Sequence, residues 1–371
     1  MSTGTGPWHD LGIPRVINGA GKMTYLGSSS LRPAVIGAMA AAAGQYVDIA
    51  ALKQAIGTRI AQLTTAPAAC VVSCAAAGIA QAMAATITGT ELSLIEQLPD
   101  PPVDRREVIL CQGHAVHFGA PLTVMLRLGG GIVRAVGDPD ATVADLESAV
   151  GKRTAALCFV VSHHTSGTAP TLNQFIEIGR RYGVPVIVDA AAEVDLRTYL
   201  NQGADLVVYS GHKAIGGPTS GIVLGNPELI AACRAQEAGI GRAMKVGKET
   251  LAGILVAVQQ YLTDTATRTT EQLAATVRHL KTSLGDELPA AVTIVQDPTR
   301  PIPRLRVAPS PLSPLDPADL VAALESHSPS VRTRNHGVPA GHIDIDPREL
   351  SDAEVEELAL VLRQLLTGRQ T

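Results

Sequence analysis

The sequence predicts an α/β fold: a large domain built on a mainly parallel sheet, followed by a smaller α+β C-terminal domain. Two patterns carry this prediction. Between about residues 66 and 225, short runs rich in β-branched residues alternate with helical stretches, and near-continuous apolar strands separated by helices are what a sheet covered on both faces requires. Beyond about residue 285 the pattern changes to strand-like runs broken by prolines and then to two capped helices. With 371 residues, 46% of them hydrophobic and 17% charged, the chain is long enough for two cores rather than one.

Taken in order, "ACVVS" (69–73), "EVIL" (107–110), "TAALCFVVS" (154–162), "VPVIVDA" (184–190), "ADLVVYS" (204–210) and "SGIVLG" (220–225) read as buried strands. Between two of them "NQFIEIGRRYG" (173–183) is a helix that stops at a glycine. The stretch from Ala231 to Leu284 reads as mostly helical, and "GDELPAAVTIVQDPTRPIPRLRV" (285–307) returns to strands. Finally "DPADLVAALESH" (316–327) and "SDAEVEELALVLRQLL" (351–366) open on Asp or Ser caps and carry apolar residues at helical spacing. There is no internal repeat, and the alanines from Ala38 to Ala43 are simply good helix formers.

Composition narrows the function classes. Thirty basic against 34 acidic side chains give a formal charge of -4 and a pI of about 6.2, so there is no general footprint for nucleic acid or an anionic membrane. The five cysteines, at 70, 74, 111, 158 and 233, match no zinc or redox spacing and read as reduced. The N-terminal "MSTGTGPWHDLG" lacks a basic stretch followed by an apolar one, and no apolar run is long enough for a membrane span. The expectation is a cytoplasmic protein acting on a small molecule.

In open α/β sheets ligands gather at the carboxyl ends of the strands, and four such places carry reactive residues. Ser73, Cys74, Ala75 and Ala76 mark a turn from strand into helix, where small side chains let backbone N–H groups hold a phosphate. Asp189 ends one strand; Ser210, His212 and Lys213 follow the next; His114 and His117 follow "EVIL". Singly, each has a plain structural alternative as a cap, a packing residue or a solvated loop cation. Their order decides. A phosphate-type helix start, an aspartate at a strand end and a lysine 24 residues later (213 − 189) is the order of fold-type I pyridoxal 5'-phosphate enzymes. There a lysine forms an imine with the cofactor aldehyde, a carboxylate keeps the pyridine nitrogen protonated, and a helix N-terminus takes the phosphate.

Beyond this general pattern the chain resembles the selenocysteine synthase-like group, and within it the D-glucosaminate-6-phosphate ammonia lyase-like proteins. The resemblance runs from "PRVINGAGKMTYLG" through "VVSCAAAGI", "GHAVHFGAP", "VIVDAAAEVDL" and "YSGHKAIGGPTSGIVLG" to "GIGRAMKVGKETLAGILVAV". It implies the aspartate aminotransferase-like fold, with 1–50 an N-terminal arm contributing to an interface and to the small domain, 51–262 the large cofactor-binding domain and 263–371 the small one. It implies further that Lys213 bears pyridoxal phosphate and Asp189 pairs with the ring nitrogen. Cys74, Ala75, Ala76 and Ser210 then surround the phosphate, and His114, in preference to His117, lies against the ring. Arg242 and Lys245 match a two-cation motif that handles an anion near the active site. The implied assembly is a homodimer or larger oligomer in which Thr219 reaches a neighbour's phosphate. Two departures, His212 in place of an aspartate before the lysine and the lack of a separate N-terminal tRNA-binding region, argue against an aminoacyl-tRNA substrate.

The expected reaction is an α,β-elimination that yields a 2-keto acid and ammonia from an amino acid or amino-sugar acid. Lys213 acts as base, His212 or His114 protonates the departing hydroxyl, and Arg334 of "VRTRNHG", with Arg332 nearly as good, is the candidate for the substrate carboxylate. Arg242 and Lys245, three positions apart, would share a helix face and close on one anion. The same constellation would serve a transaminase, a racemase or a retro-aldol lyase, and a selenium transferase acting on seryl-tRNA is the more distant alternative.

Overall fold

The predicted apolar runs become strands because almost every residue in them is buried on both faces. A computed structural model describes residues 8–137, 140–162, 165, 170–263, 268–297 and 300–368. In chain order β1 (Val16–Asn18) is followed by α1 (Pro33–Ala43), α2 (Ile49–Thr64), β2 (Ala68–Val72) and α3 (Ala75–Thr88). Helix α4 (Leu92–Ile95) leads to β3 (Glu107–Cys111), α5 (Leu122–Leu128), β4 (Ile132–Val136), α6 (Val143–Ala149) and β5 (Thr154–Val160). Then come α7 (Leu172–Tyr182), β6 (Val186–Asp189), α8 (Thr198–Gln202), β7 (Leu206–Ser210), β8 (Gly221–Gly225), α9 (Pro227–Ala235) and α10 (Lys248–Leu262). The last elements are α11 (Thr270–Leu284), β9 (Ala290–Gln296), β10 (Pro303–Pro309), α12 (Pro317–Ser326), β11 (Ser330–Arg332), β12 (Ile343–Ile345) and α13 (Asp352–Thr367).

These elements form two units, Leu31–Ala266 and Met1–Ser30 with Thr267–Thr371. The larger carries a seven-stranded sheet in the order β2-β8-β7-β6-β5-β3-β4. Only β8 runs antiparallel to its neighbours, so the carboxyl ends of the other six lie along one edge. This is the mainly parallel α/β sheet that the alternation predicts. Strand β4 is an addition to the predicted set: it is a half-exposed edge strand, and Arg134 interrupts its apolar run. Alternation along the central strands divides the core into two layers. Leu157, Val186, Val188, Val207 and Tyr209 pack on one face with Phe175 of α7, and Cys158, Val160, Ile187 and Val208 pack on the other with Ile79 and Met83 of α3.

The smaller unit is the predicted α+β domain. It holds an antiparallel sheet β12-β10-β9 and a parallel pair β1-β11, and its core is built from Leu305, Val307, Ile343 and the apolar faces of α11, α12 and α13. Both predicted caps form. Asp316 accepts from the N–H groups of Ala318 and Asp319, and Ser351 forms a reciprocal capping box with Glu354, contacts worth about 1 kcal/mol each.

His114, just past β3, is fully buried. Its ring meets Phe159 edge-on at 4.4 Å and lies parallel to Phe175 at 5.9 Å, and its Nδ1 accepts the Val160 N–H at 3.1 Å. Burial pushes its pKa down to about 4. Unfolded histidine protonates near pH 6.5, so the unfolded chain takes up this proton first on acidification. The stabilisation is therefore complete above about pH 6.5 and is lost as the pH falls toward 4, about 3 kcal/mol in all. A His114→Gln variant, which keeps an acceptor for Val160 but does not titrate, is expected to lose melting temperature less steeply than the wild type across that window. Equal slopes in thermal unfolding at pH 7 and pH 4.5 would count against this account.

Candidate active site

The site is assembled on one face of the large sheet, at the shared carboxyl edge. Val188 belongs to the layer with Phe175 and Ile187 to the layer with α3, so alternation turns Asp189 toward α3. By the same count Ser210, two residues beyond Val208, turns to that face as well. Strands β6 and β7 are neighbours, with Asp189 opposite Val208.

The helix start reaches the same place because of a glycine. Gly221 lies across from both Ser210 and Val72 in the sheet, and a Cβ on it would stand 2.5 Å from the Cys74 carbonyl oxygen and 2.8 Å from the Ala75 nitrogen. Only a glycine lets the first turn of α3 lie that close to the strand. Cys74 caps this helix, its Sγ accepting the Ala77 N–H at 3.4 Å. The first N–H groups of a helix, here those of Ala75 and Ala76, have no intrahelical acceptor and favour an anion. Beside them the Ser210 Oγ is buried and makes no hydrogen bond among the described residues. A buried hydroxyl without a partner next to a helix N-terminus suits a phosphate.

Lys213 sits half-buried on a tightly closed loop between β7 and β8. Gly211 N–H donates to Ser220 O at 2.8 Å, Gly217 N–H to Gly211 O at 2.8 Å, and Gly216 N–H to Lys213 O at 3.2 Å. Gly216 adopts a φ of 69°, a left-handed backbone that a side chain disfavours. The lysine and Asp189 are electrostatically coupled. Burial pushes the Asp189 carboxyl up, while the Ala191 N–H, donating to Oδ1 at 3.0 Å, and the Lys213 charge pull it down. His212, buried immediately before the lysine, is held below the usual imidazole range by burial and then by the charge of Lys213. Titratable groups perturbed by burial and by each other, at the carboxyl edge of an α/β sheet, mark a chemical site.

The other predicted residues fall differently. Ser73 is half-buried ahead of α3, and Ala76 and Thr219 are exposed. His114 belongs to the layer with Phe175, on the sheet face opposite Asp189; the two aromatic rings and the Val160 N–H fix it there, and His117 is the exposed histidine of that segment. Arg242 and Lys245 do not share a helix. Arg242 ends a 3-10 turn (Ile240–Arg242) that closes at Ala243, and Lys245 lies in the irregular segment before α10. Both are exposed.

Arg334 lies in the smaller unit, paired through its backbone with Asp344. Its Nη1 donates to the Ala20 carbonyl at 3.4 Å, and its Nε is buried without an acceptor among the described residues. Arg304 pairs with Asp297, and Arg348 pairs with Asp346 through two bonds of 2.9 Å. The two carboxylates are therefore occupied, and Arg334 carries the surplus positive charge. Gly221 is the functional position that strand-end reading passes over; its only sequence signal is a small residue opening a buried strand.

Comparison with known proteins is consistent with this geometry. The chain is 38% identical over 367 residues to the D-glucosaminate-6-phosphate ammonia lyase of Salmonella typhimurium, covering 96% of this chain and 97% of the relative. It is 41% identical over 369 residues to a 5'-C-glycyluridine monooxygenase-decarboxylase of a Streptomyces species, covering 97% of this chain and 92% of the relative. A solved structure of D-glucosaminate-6-phosphate ammonia lyase superposes with a TM-score of 0.92 at 38% identity, over 99% of each chain. The architecture is the fold-type I fold expected from the residue order. Residues 17–288 match the L-seryl-tRNA selenium transferase family, and the chain belongs to that family.

Proposed function

We propose that this protein is a pyridoxal-phosphate-dependent lyase that eliminates a β-substituent from an amino acid or amino-sugar acid, releasing a 2-keto acid and ammonia. The observation that carries the proposal is the placement of Asp189 and Lys213 at the carboxyl ends of the neighbouring strands β6 and β7, beside the buried Ser210 hydroxyl and the closely packed start of α3. The near-full-length likeness to an ammonia lyase supports the reaction class.

These residues suit the cofactor. The first turn of α3 and the Ser210 Oγ would hold its phosphate, Asp189 its ring nitrogen and Lys213 its aldehyde carbon. When bound, the cofactor supplies an electron sink for negative charge developing at Cα. Asp189 keeps the ring nitrogen protonated, and that cation gives its buried carboxylate a counter-charge. Lys213 Nζ, displaced by the substrate amine, removes and holds the Cα proton. His212, next to it and neutral, would accept that proton from Lys213 on one ring nitrogen and release one from the other to the departing β-substituent. His114, whose ring packs against Phe159 and Phe175, is not proposed for that role. Arg334, with its unmatched charge, is the proposed partner of the substrate carboxylate. Arg242 and Lys245, as separate exposed cations, are proposed to meet a more distant anionic group of the substrate.

We include in the proposal a homodimer, supported by α1, an apolar helix of which only Val35 is buried, and by Thr219 exposed on the lysine loop. The five free thiols favour a reducing, cytoplasmic setting. Among the described residues no helix is long and apolar enough to cross a membrane. The likeness to a monooxygenase-decarboxylase supports a second reading, in which the same Cα chemistry is followed by reaction with oxygen and loss of carbon dioxide. Incubation with a panel of β-hydroxy amino acids and amino-sugar acids, with ammonia, keto acid and oxygen measured together, separates the two. Elimination releases ammonia and keto acid without oxygen uptake, whereas oxygen uptake stoichiometric with turnover would select the second reading.

Borohydride treatment of the loaded protein is expected to fix the pyridoxyl group on Lys213, and Lys213→Ala should abolish both the yellow colour and the label. A peptide map with the label on another lysine would overturn the assignment. Asp189→Asn is expected to retain cofactor but to slow Cα deprotonation by about a hundredfold or more, the loss of one charge-assisted bond of roughly 3 kcal/mol in a dry site. Exchange of the Cα proton with solvent measures this step, and a wild-type rate would remove Asp189 from the chemistry. Arg242→Ala should raise KM more than it lowers kcat, because a contact made equally in ground and transition states affects binding alone. Substrate saturation curves at excess cofactor provide the check, and an unchanged KM would return Arg242 to an ordinary surface role.

A further inference from the structure

Arg32 precedes α1 and reaches the lysine loop across 183 positions of sequence. Its Nη2 donates to the carbonyl of Ile215 at 3.2 Å and to the carbonyl of Ala257, on α10, at 3.3 Å. Ile215 is two residues past Lys213, and its side chain is buried in the same core layer as Ile254 and Ala257 of α10. The loop's own hydrogen bonds, from Gly211, Gly216 and Gly217, close it on itself. The guanidinium ties this closed unit to a long helix.

The tie is an expensive one. Arg32 is half-buried, no carboxylate pairs with it among the described residues, and its Nε is buried without an acceptor. Burial lowers its pKa. An apolar side chain would fill the same space without desolvating a cation, so stability alone does not account for an arginine here. What an arginine supplies is a planar fork that can hold two carbonyls in fixed relation.

We propose that Arg32 is a positioning residue for Lys213, fixing the Ile215 carbonyl against α10 and so fixing how the lysine is presented toward Asp189. The proposal rests on Lys213 being the cofactor lysine. A displacement of about 1 Å in a reacting group can cost about a hundredfold in rate, which gives such a tie a catalytic use.

The test reads the loop without the reaction. In the cofactor-free full-length protein, amide hydrogen exchange in Arg32→Ala is expected to rise about tenfold or more at residues 213–217 while β5 and β6 stay as in the wild type. Arg32→Lys, which keeps a donor and a charge, should recover much of that protection. In the loaded enzyme Arg32→Ala should lower kcat about tenfold with KM within about twofold. Wild-type exchange at 213–217 would overturn the proposal, and so would exchange rising evenly through β5 and β6, which marks a general packing role. A raised KM with unchanged kcat would also overturn it, since that marks contact with substrate. If Arg32→Ala does not fold, Arg32→Gln is read by the same criteria. Borohydride mapping to a lysine other than 213 would defeat the underlying assignment instead, whatever the exchange result.

Discussion

A carboxyl and an ammonium group withdrawn from bulk water at the ends of two neighbouring strands govern the arrangement of the large unit. Asp189 closes β6 and Lys213 follows β7; burial raises the Asp189 pKa, and the Ala191 N–H and then the Lys213 charge oppose that shift. That balance needs a rigid frame, because a buried carboxyl that loses its cation is costly. Strands buried on both faces provide the frame, and the hydrogen-bonded loop from Gly211 to Ser220 carries the lysine on it.

The anion cradle depends on close packing rather than on charge. Helix α3 can begin over β8 because Gly221 leaves room for Cys74 and Ala75, and Gly78 one turn later lets the helix rest on β7, where a Cβ would stand 2.7 Å from a Val208 methyl carbon. The small residues of "SCAAAG" are thus packing residues that let the start of α3 rest on the sheet. Gly221, paired with Ser210 in the sheet, is the point at which the first turn of α3 comes closest to the strands.

The smaller unit presents the complementary case, a surplus of positive charge. Asp297 and Asp346 are taken by Arg304 and Arg348, and Asp346 is fully buried. Arg334 is left with a buried Nε, and burial first and the Arg304 charge next lower its pKa, against the attraction of Asp346 and Asp297.

Much of this was legible in the sequence because local pattern encodes it. The buried strands announce themselves as apolar runs, the helix ends by Asp316, Ser351 and Gly183, and the strand-end positions of Asp189, Ser210 and Lys213 follow from where those runs stop. Strand β4 escaped notice because an edge strand with one exposed side and Arg134 in its middle has no continuous apolar run. What sequence could not decide was direction and partnership. His114 turns into the core because Phe159 and Phe175, 45 and 61 positions away (159 − 114 and 175 − 114), form a pocket for its ring. Arg242 and Lys245 part because the 3-10 turn that carries Arg242 ends at Ala243 and Lys245 falls in the irregular segment before α10. Arg32 meets the lysine loop only after α10 has packed beside α1. The sequence by itself determined which residues form the sheet and which stand at its carboxyl edge, since those follow from periodicity and chain-breaking residues. The tertiary structure alone decided which side chains face one another there, because that depends on contacts between residues far apart in the chain, whose energies no local pattern contains.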